Sequence, residues 1–168
     1  IEWIGVYDVG QGSANGLCDH HGMPRLYFDL GGGVMKNANS FSSLFQNICV
    51  TANPPIILSH WDWDHRSSGS KFPAAYNLTW IAPNQKLGAV HSVFAATILN
   101  SGGQLLIWPA HIGHLQVGQL DIHKCTGSPR NHSGLAIEVA GPHGALPILL
   151  TGDARYTAIP TANSIFSS

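Results

Sequence analysis

The residues with the clearest capacity for chemistry lie in one short stretch, Ser-His-Trp-Asp-Trp-Asp-His-Arg at positions 59–66. It holds two imidazoles and two carboxylates, those of His60, Asp62, Asp64 and His65. On an extended chain, residues two apart point the same way, so His60, Asp62 and Asp64 are expected to converge, whereas His65 points elsewhere after a turn. Imidazole suits zinc, and carboxylates suit zinc or harder cations such as manganese. Two ligand groups that face two directions are what a two-metal hydrolytic site needs.

A polar surface loop is the competing interpretation of this stretch, because aspartate-rich turns are common. Trp61 and Trp63 argue against it, since large aromatic side chains are unusual in a fully solvated loop. They indicate a pocket wall, in which the indoles either pack the loop against the core or stack on a base or sugar. Arg66 directly follows the loop, and it is either a contact to an anionic substrate or an ordinary solvated charge.

Further ligands are expected from two strand ends elsewhere in the chain. His132 stands just before Leu-Ala-Ile-Glu-Val, and Asp153 stands shortly after Ile-Leu-Leu. Each signal is weak alone, since a Gly-Asp pair after a strand is more often a plain turn. Together with the first loop they form a series at the ends of successive strands. Little weight falls on the remaining candidates, which are His91, His111, His114, His123 and His143.

The elements that must position these residues are short strands and two helical segments. Apolar patterns predict strands over 2–8, 14–19, 26–30, 54–59 and 78–82, with several more after residue 104. Helical spacing of apolar residues predicts helices over 40–49 and 85–100. No internal repeat, low-complexity tract or linker divides the chain. We therefore expect one α/β domain over residues 1–168, with sheets inside and helices outside.

Composition restricts the partners of this domain. Eight Lys plus Arg stand against nine Asp plus Glu, for a net charge of −1. This balance gives no strong nucleic-acid signal and counts against tight non-specific binding of DNA. No stretch approaches the roughly 18 apolar residues of a membrane span. Three widely spaced cysteines predict neither a zinc knuckle nor a disulfide framework. The location in the cell is left open, with the cytoplasm slightly favoured.

Five strings in order resemble the metallo-β-lactamase fold superfamily. They are Asp-Val-Gly-Gln-Gly at 8–12, Tyr-Phe-Asp-Leu-Gly-Gly-Gly at 27–33, the histidine-aspartate string at 58–65, Asn-His-Ser-Gly-Leu-Ala-Ile at 131–137 and Leu-Leu-Thr-Gly-Asp at 149–153. The chain is most similar to the branch that includes the hydrolase domain of ComEC-type DNA-uptake proteins. The resemblance implies an αββα sandwich with a metal site along one edge of two packed sheets.

The resemblance also assigns roles to residues. It implies a first metal ion held by His60, Asp62 and His132, a second held by Asp64 and His65, and a bridge between them from Asp153. Asp64 would also orient the attacking water, and Asp29 would brace the metal loop. The implied cofactor is zinc, as one or two ions, with manganese or iron as alternatives.

The implied function is a metal-dependent hydrolase that attacks a phosphodiester or a related ester with an activated water. A small-molecule substrate remains open, and a β-lactam is less expected because that group carries His where Asp62 stands. The branch has a last histidine in its terminal part, whereas residues 154–168 contain none. The chain is therefore expected to lack the C-terminal strands and helix. The alternative function is a degenerate, non-catalytic metal-binding or interaction module that self-associates or is completed by a further segment.

Overall fold

The computed structural model describes residues 1–141 and 145–160. The chain is mixed α/β, with two sheets and few helices. Six strands form the first sheet in chain order: β1 (Trp3–Val6), β2 (Ala14–Cys18), β3 (Pro24–Leu30), β4 (Ile56–Ile57), β5 (Thr79–Ala82) and β6 (Gln104–Ile107). Strands β1 to β3 are antiparallel, and β3 to β6 are parallel.

The second sheet is antiparallel. Its strands are β7 (His114–Val117), β8 (Leu120–Lys124), β9 (Leu135–Val139) and β10 (Ile148–Leu150), and they pair in the order β10-β9-β8-β7. Two α-helices are described, α1 (Ser68–Lys71) and α2 (Ala89–Asn100). The predicted α/β class is confirmed at this level.

Two apolar clusters hold these elements together. The first joins the two sheets through side chains of β2, β3, β4, β8 and β9: Leu17, Leu26, Phe28, Ile57, Ile122, Leu135, Ile137 and Val139. The second lies on the opposite face of the first sheet, because neighbouring strand residues point to opposite faces. There Phe94 and Ile98 of α2 pack against Tyr27, Ile56 and Trp80. The inner strands of the first sheet are thus covered on both sides.

The predicted helix over 85–100 is confirmed, with its first residue at Ala89. The backbone N–H of Gly88 is satisfied by Nδ1 of His91 at 2.9 Å, which closes the start of the helix. His91, Phe94 and Ile98 form its buried stripe at spacings of three and four residues.

The predicted helix over 40–49 is wrong. A short 3₁₀ turn covers Ala38–Ser40, and residues 41–50 form neither helix nor strand. Hydroxyl groups compete for the backbone here: Oγ of Ser40 accepts from the N–H of Val34 at 2.6 Å, and Oγ of Ser42 accepts from Leu44 at 3.3 Å. Phe45 is still buried, so its apolar spacing reflects burial in a loop and not a helix.

Some surface features bear on partners. Within residues 1–141 and 145–160, no helix has the length and apolar character needed to cross a membrane. Large apolar side chains are exposed on strands β6 and β7: Leu106, Ile107, Leu115 and Val117. Self-association through such a surface stays a prediction. His143 lies outside the described residues.

Candidate metal centre

The metal loop, residues 58–66, is positioned by parallel strand pairing. Phe28 of β3 lies level with Ile57 of β4, so the next residues along the two chains, Asp29 and Leu58, lie side by side. Asp29 there adopts a left-handed conformation with φ of 58°, which is uncommon for a residue other than glycine. Its side chain is completely buried beneath the loop.

Asp29 is the internal anchor of the metal loop. Its Oδ1 accepts from the backbone N–H of Ser59 at 2.6 Å. Its Oδ2 accepts from the Ser59 hydroxyl at 2.8 Å and lies 2.7 Å from Nδ1 of His65. A carboxylate that binds the outer nitrogen of an imidazole fixes the ring orientation and leaves the other nitrogen free for a ligand.

Two buried imidazole nitrogens lack a hydrogen-bond partner among the described residues: Nε2 of His60 and Nε2 of His65. Both rings are about 1% exposed, and their centroids are 4.1 Å apart. Nδ1 of His60 is engaged by the Ser59 hydroxyl at 3.0 Å, as Nδ1 of His65 is by Asp29. Buried polar atoms are rarely left unpaired, so this pair requires an explanation.

Three carboxylates surround these nitrogens. Nε2 of His60 lies 3.5 Å from Oδ2 of Asp62 and 4.0 Å from Oδ2 of Asp153. Nε2 of His65 lies 3.3 Å from Oδ1 of Asp153 and 3.9 Å from Oδ2 of Asp64. Asp153 therefore presents one oxygen to each histidine. Ligand atoms ~2.1 Å from a tetrahedral ion lie about 3.4 Å from one another, so these spacings fit divalent cations.

The loop reaches this geometry by a different route from the one expected. Trp63–His65 form a 3₁₀ turn, so the chain is not extended through Asp64. The turn brings His65 beside His60, although it was expected to point elsewhere. The hydrogen bond to Asp29 holds His65 in that position.

His132 forms hydrogen bonds with backbone groups of neighbouring segments. Its Nδ1 faces the backbone N–H of Arg155 at 3.4 Å, and its carbonyl oxygen accepts from Gly127 at 2.7 Å. No hydrogen bond or ion pair joins its side chain to His60 or Asp62 within the described residues. Its assignment as a ligand of the first ion stays a prediction.

Sequence reasoning missed two neighbours of His132. Nη1 of Arg130 donates to Oδ1 of Asp62 at 2.8 Å, and Nδ2 of Asn131 donates to Oδ2 of Asp153 at 3.2 Å. Burial raises the pKa of Asp62, but the Arg130 hydrogen bond and the charge of His60 outweigh burial and hold that pKa below its usual range. The polar string Arg-Asn-His at 130–132 was the sequence signal for these two contacts. Its spacing from Asp62 and Asp153 does not predict which side chains pair.

The two tryptophans of the loop have different environments. Trp61 is completely buried, and its Nε1–H donates to the carbonyl of Pro83 at 2.9 Å. Trp63 is partly exposed and lines cavities on two sides. Trp61 thus packs the loop against the core, and only Trp63 is available for stacking on a ligand.

Arg66 is not a solvated charge, because it is 3% exposed. Its Nε–H donates to the carbonyl of Trp61 at 3.0 Å, and its guanidinium carbon lies 4.6 Å from the centre of the Phe94 ring. It lines a mainly apolar cavity of about 330 Å³ together with Trp63, Tyr76 and Val93. A substrate contact from Arg66 stays a prediction, and it would have to be made within this cavity.

A close backbone approach supports the loop from below. A Cβ atom at Gly31 would lie 1.7 Å from the carbonyl oxygen of Asp64. Gly31→Ala is therefore expected to cost about 1–3 kcal/mol of unfolding free energy and to weaken zinc binding by moving Asp64. Gly113→Ala is the matched control, because nothing lies within 4 Å of its Cβ position. Urea denaturation and zinc titration test both variants, and equal behaviour of the two would contradict this account.

The pKa values of His60 and His65 are shifted in opposite directions. Burial, followed by the charge of His65, lowers the pKa of His60. Burial also acts to lower the pKa of His65, but the charge and hydrogen bond of Asp29, with Asp153 and Asp64, outweigh burial and raise that pKa to about 9. In the metal-free chain His65 is thus protonated and paired at neutral pH.

A pH dependence of stability follows for the metal-free chain. The contribution of His65 is fully present below its unfolded pKa of 6.5 and is lost as the pH rises through about 9. The free energy of unfolding should fall over that window by on the order of 3 kcal/mol. Below pH 6.5 the depressed pKa of His60 makes stability fall as the pH falls. Urea denaturation in chelator should give a maximum near pH 6.5, and His65→Gln should remove the alkaline loss. An unchanged alkaline slope in that variant would contradict the assignment.

Comparison with known proteins adds no identification, since no protein-family model and no curated protein matches the chain. The chemistry of the donor set therefore carries the functional argument.

Proposed function

We propose that this chain is a metal-dependent hydrolase on an αββα sandwich of the metallo-β-lactamase type, with zinc as its cofactor. The observation that carries the proposal is the pair of buried Nε2 atoms of His60 and His65, which face three carboxylates and have no hydrogen-bond partner among the described residues. Zinc, when bound, supplies a water of lowered pKa and positive charge opposite the charge that develops on the substrate. The resemblance and the two covered faces of the first sheet support the sandwich.

Six side chains would hold two ions in this proposal. His60 and Asp62 would serve the first ion, with His132 as the resemblance implies. His65 and Asp64 would serve the second, and Asp153 would join the two. Manganese or iron would suit the carboxylate-rich set as well. Arg130 neutralises the outer oxygen of Asp62, which directs the other oxygen toward His60.

The protein's own groups then position the reaction. The Asp64 carboxylate is 24% exposed, so it can contact a water molecule, orient it and accept its proton. Asp29 keeps Nε2 of His65 directed into the centre. The partly exposed Trp63 offers an aromatic face to the body of a substrate.

The proposed substrate class is a small phosphodiester or a related ester. The resemblance to the ComEC-type branch favours phosphodiesters. A long polyanion would be expected to select a positive surface, and the net charge here is −1. A small substrate needs no such surface, because the ions held by the metal loop would themselves attract its phosphate.

The second candidate function is a non-catalytic metal-binding or interaction module. It is favoured by the small donor set around the second ion, which is His65 with the carboxylates of Asp64 and the shared Asp153. The exposed apolar side chains of β6 and β7 would then serve self-association.

Hydrolysis of bis(p-nitrophenyl) phosphate by the purified, zinc-loaded chain tests the first proposal. We expect zinc-dependent turnover that a chelator removes and added zinc restores. His60→Ala should abolish turnover and lower bound zinc, whereas His111→Ala should change neither, because His111 is an exposed histidine outside the metal loop. Turnover that survives His60→Ala would reject the hydrolase proposal for this centre. Zinc binding without turnover on any ester would favour the second candidate.

A further inference from the structure

Four potential metal ligands share one face of the second sheet. His114 of β7 lies directly opposite His123 of β8, and Asp121 precedes His123 by two residues. Glu138 of β9 lies directly opposite Asp121. Cross-strand partners and residues two apart point to the same side of a sheet. Their strand neighbours Ile122 and Ile137, with the opposite orientation, belong to the cluster between the sheets.

The ligand atoms on this face are close together. Those of His114, Asp121 and His123 all lie within 4.8 Å of one another, and Nε2 of His114 contacts Oδ1 of Asp121. The two imidazoles are stacked, with ring centroids 5.1 Å apart. Nε2 of His123 lies 3.9 Å from Oε2 of Glu138. Small side-chain rotations would bring these atoms to the spacing of zinc ligands, about 3.4 Å for bonds of ~2.1 Å.

Accessibility differs among these residues in a way that suits cation binding. The His123 side chain is 2% exposed, whereas those of His114 and Asp121 are 52% and 30% exposed. An ion can thus enter from solvent through His114 and Asp121, while His123 provides a fixed ligand on the central strand. Two imidazoles with one or two carboxylates form a donor set typical of zinc.

We propose that a zinc ion binds on this face of the second sheet through His114, Asp121 and His123, with Glu138 as a fourth ligand. This outer site shares no residue with the metal loop. The ion would join the edge strand β7, all of whose residues are exposed, to β8 and β9. Its role would be structural, because among the described residues β7 pairs only with β8, and the ion would hold this edge strand in place.

Zinc titration of the chelator-treated chain tests the outer site, with hydrogen exchange of the β7 amides as a second measurement. His114→Ala should remove one zinc equivalent, or weaken it at least about tenfold, and should abolish zinc-dependent protection of β7. Gln116→Ala is the matched control, since Gln116 is an exposed residue of the same strand opposite Asp121 but is no zinc ligand. Unchanged zinc binding in His114→Ala, or β7 exchange that is indifferent to zinc, would overturn the proposal.

The outcomes for the two sites are separable. Asp62→Ala should lower zinc binding at the metal loop and leave zinc-dependent protection of β7 intact. His114→Ala should leave ester hydrolysis unchanged. A chain that gains β7 protection with zinc but lacks turnover would therefore support the outer site while rejecting the hydrolase proposal.

Discussion

Asp153→Ala is expected to lower ester hydrolysis at least a hundredfold while the chain remains folded. The two oxygens of Asp153 face Nε2 of His60 and Nε2 of His65, so one substitution removes a ligand from both proposed ions. Its side chain is 46% exposed and accepts a hydrogen bond from Nδ2 of Asn131. The free energy of unfolding of the metal-free chain should fall by about 1–2 kcal/mol at neutral pH, because Asp153 helps to stabilise the protonated His65.

Charge and shape can be separated at this position. Asp153→Asn keeps the size of the side chain and an oxygen that accepts from Asn131, but it removes the negative charge. We expect it to lose nearly as much activity as the alanine variant, since two cations held close together need the shared anionic ligand. Glu2→Gln is the control, because it removes one exposed carboxylate outside the metal loop. Rates of p-nitrophenol release and bound zinc per chain are the measurements. Activity of Asp153→Asn within threefold of the unchanged chain would contradict the bridging role.

Asp29→Ala is expected to have the largest effect on stability, a loss of about 3–5 kcal/mol in free energy of unfolding. The substitution removes the acceptor for the Ser59 N–H and hydroxyl and the partner of the His65 imidazolium, all of which are buried. A buried charge left without its partner is costly. The φ of 58° adds to the loss, because alanine is strained in the left-handed region by roughly 1–2 kcal/mol.

Two further variants separate these contributions. Asp29→Asn tolerates the left-handed backbone and can still accept from Ser59, but it lacks the charge that raises the pKa of His65. We expect an intermediate loss of stability and a fall of the His65 pKa, measured by NMR titration of the metal-free chain. Asp29→Gly loses the same side-chain contacts as Asp29→Ala, but glycine adopts a φ of 58° without strain. It should therefore be less destabilising than Asp29→Ala. A loss below 1 kcal/mol for the alanine variant would show that Asp29 is not the anchor of the loop.

Local patterns predicted much of the architecture. The strand segments before and after the metal loop were visible as short apolar runs, and α2 was visible from its apolar spacing. The segment over 40–49 shows the limit of this reasoning. Its apolar residues had helical spacing, but Phe45 is buried from a loop in which hydroxyl groups bind the backbone. Spacing reports which residues are buried and does not by itself report the backbone that buries them.

For the metal centre, the sequence alone determined the chemical types of the donors and their positions after strands, since both are local properties of the chain. The tertiary structure decided which donors meet. It placed His65 beside His60 through the buried Asp29, paired Asp62 with Arg130, and set Nδ1 of His132 against the backbone N–H of Arg155. It also aligned His114 with His123 through the register of β7 and β8. The contacts of Asp29 with His65 and of Asp62 with Arg130 join residues far apart in the chain, so they depend on strand register and burial, which no short stretch of sequence contains. His114 and His123 are only nine residues apart, but their alignment depends on the register of the hairpin between them.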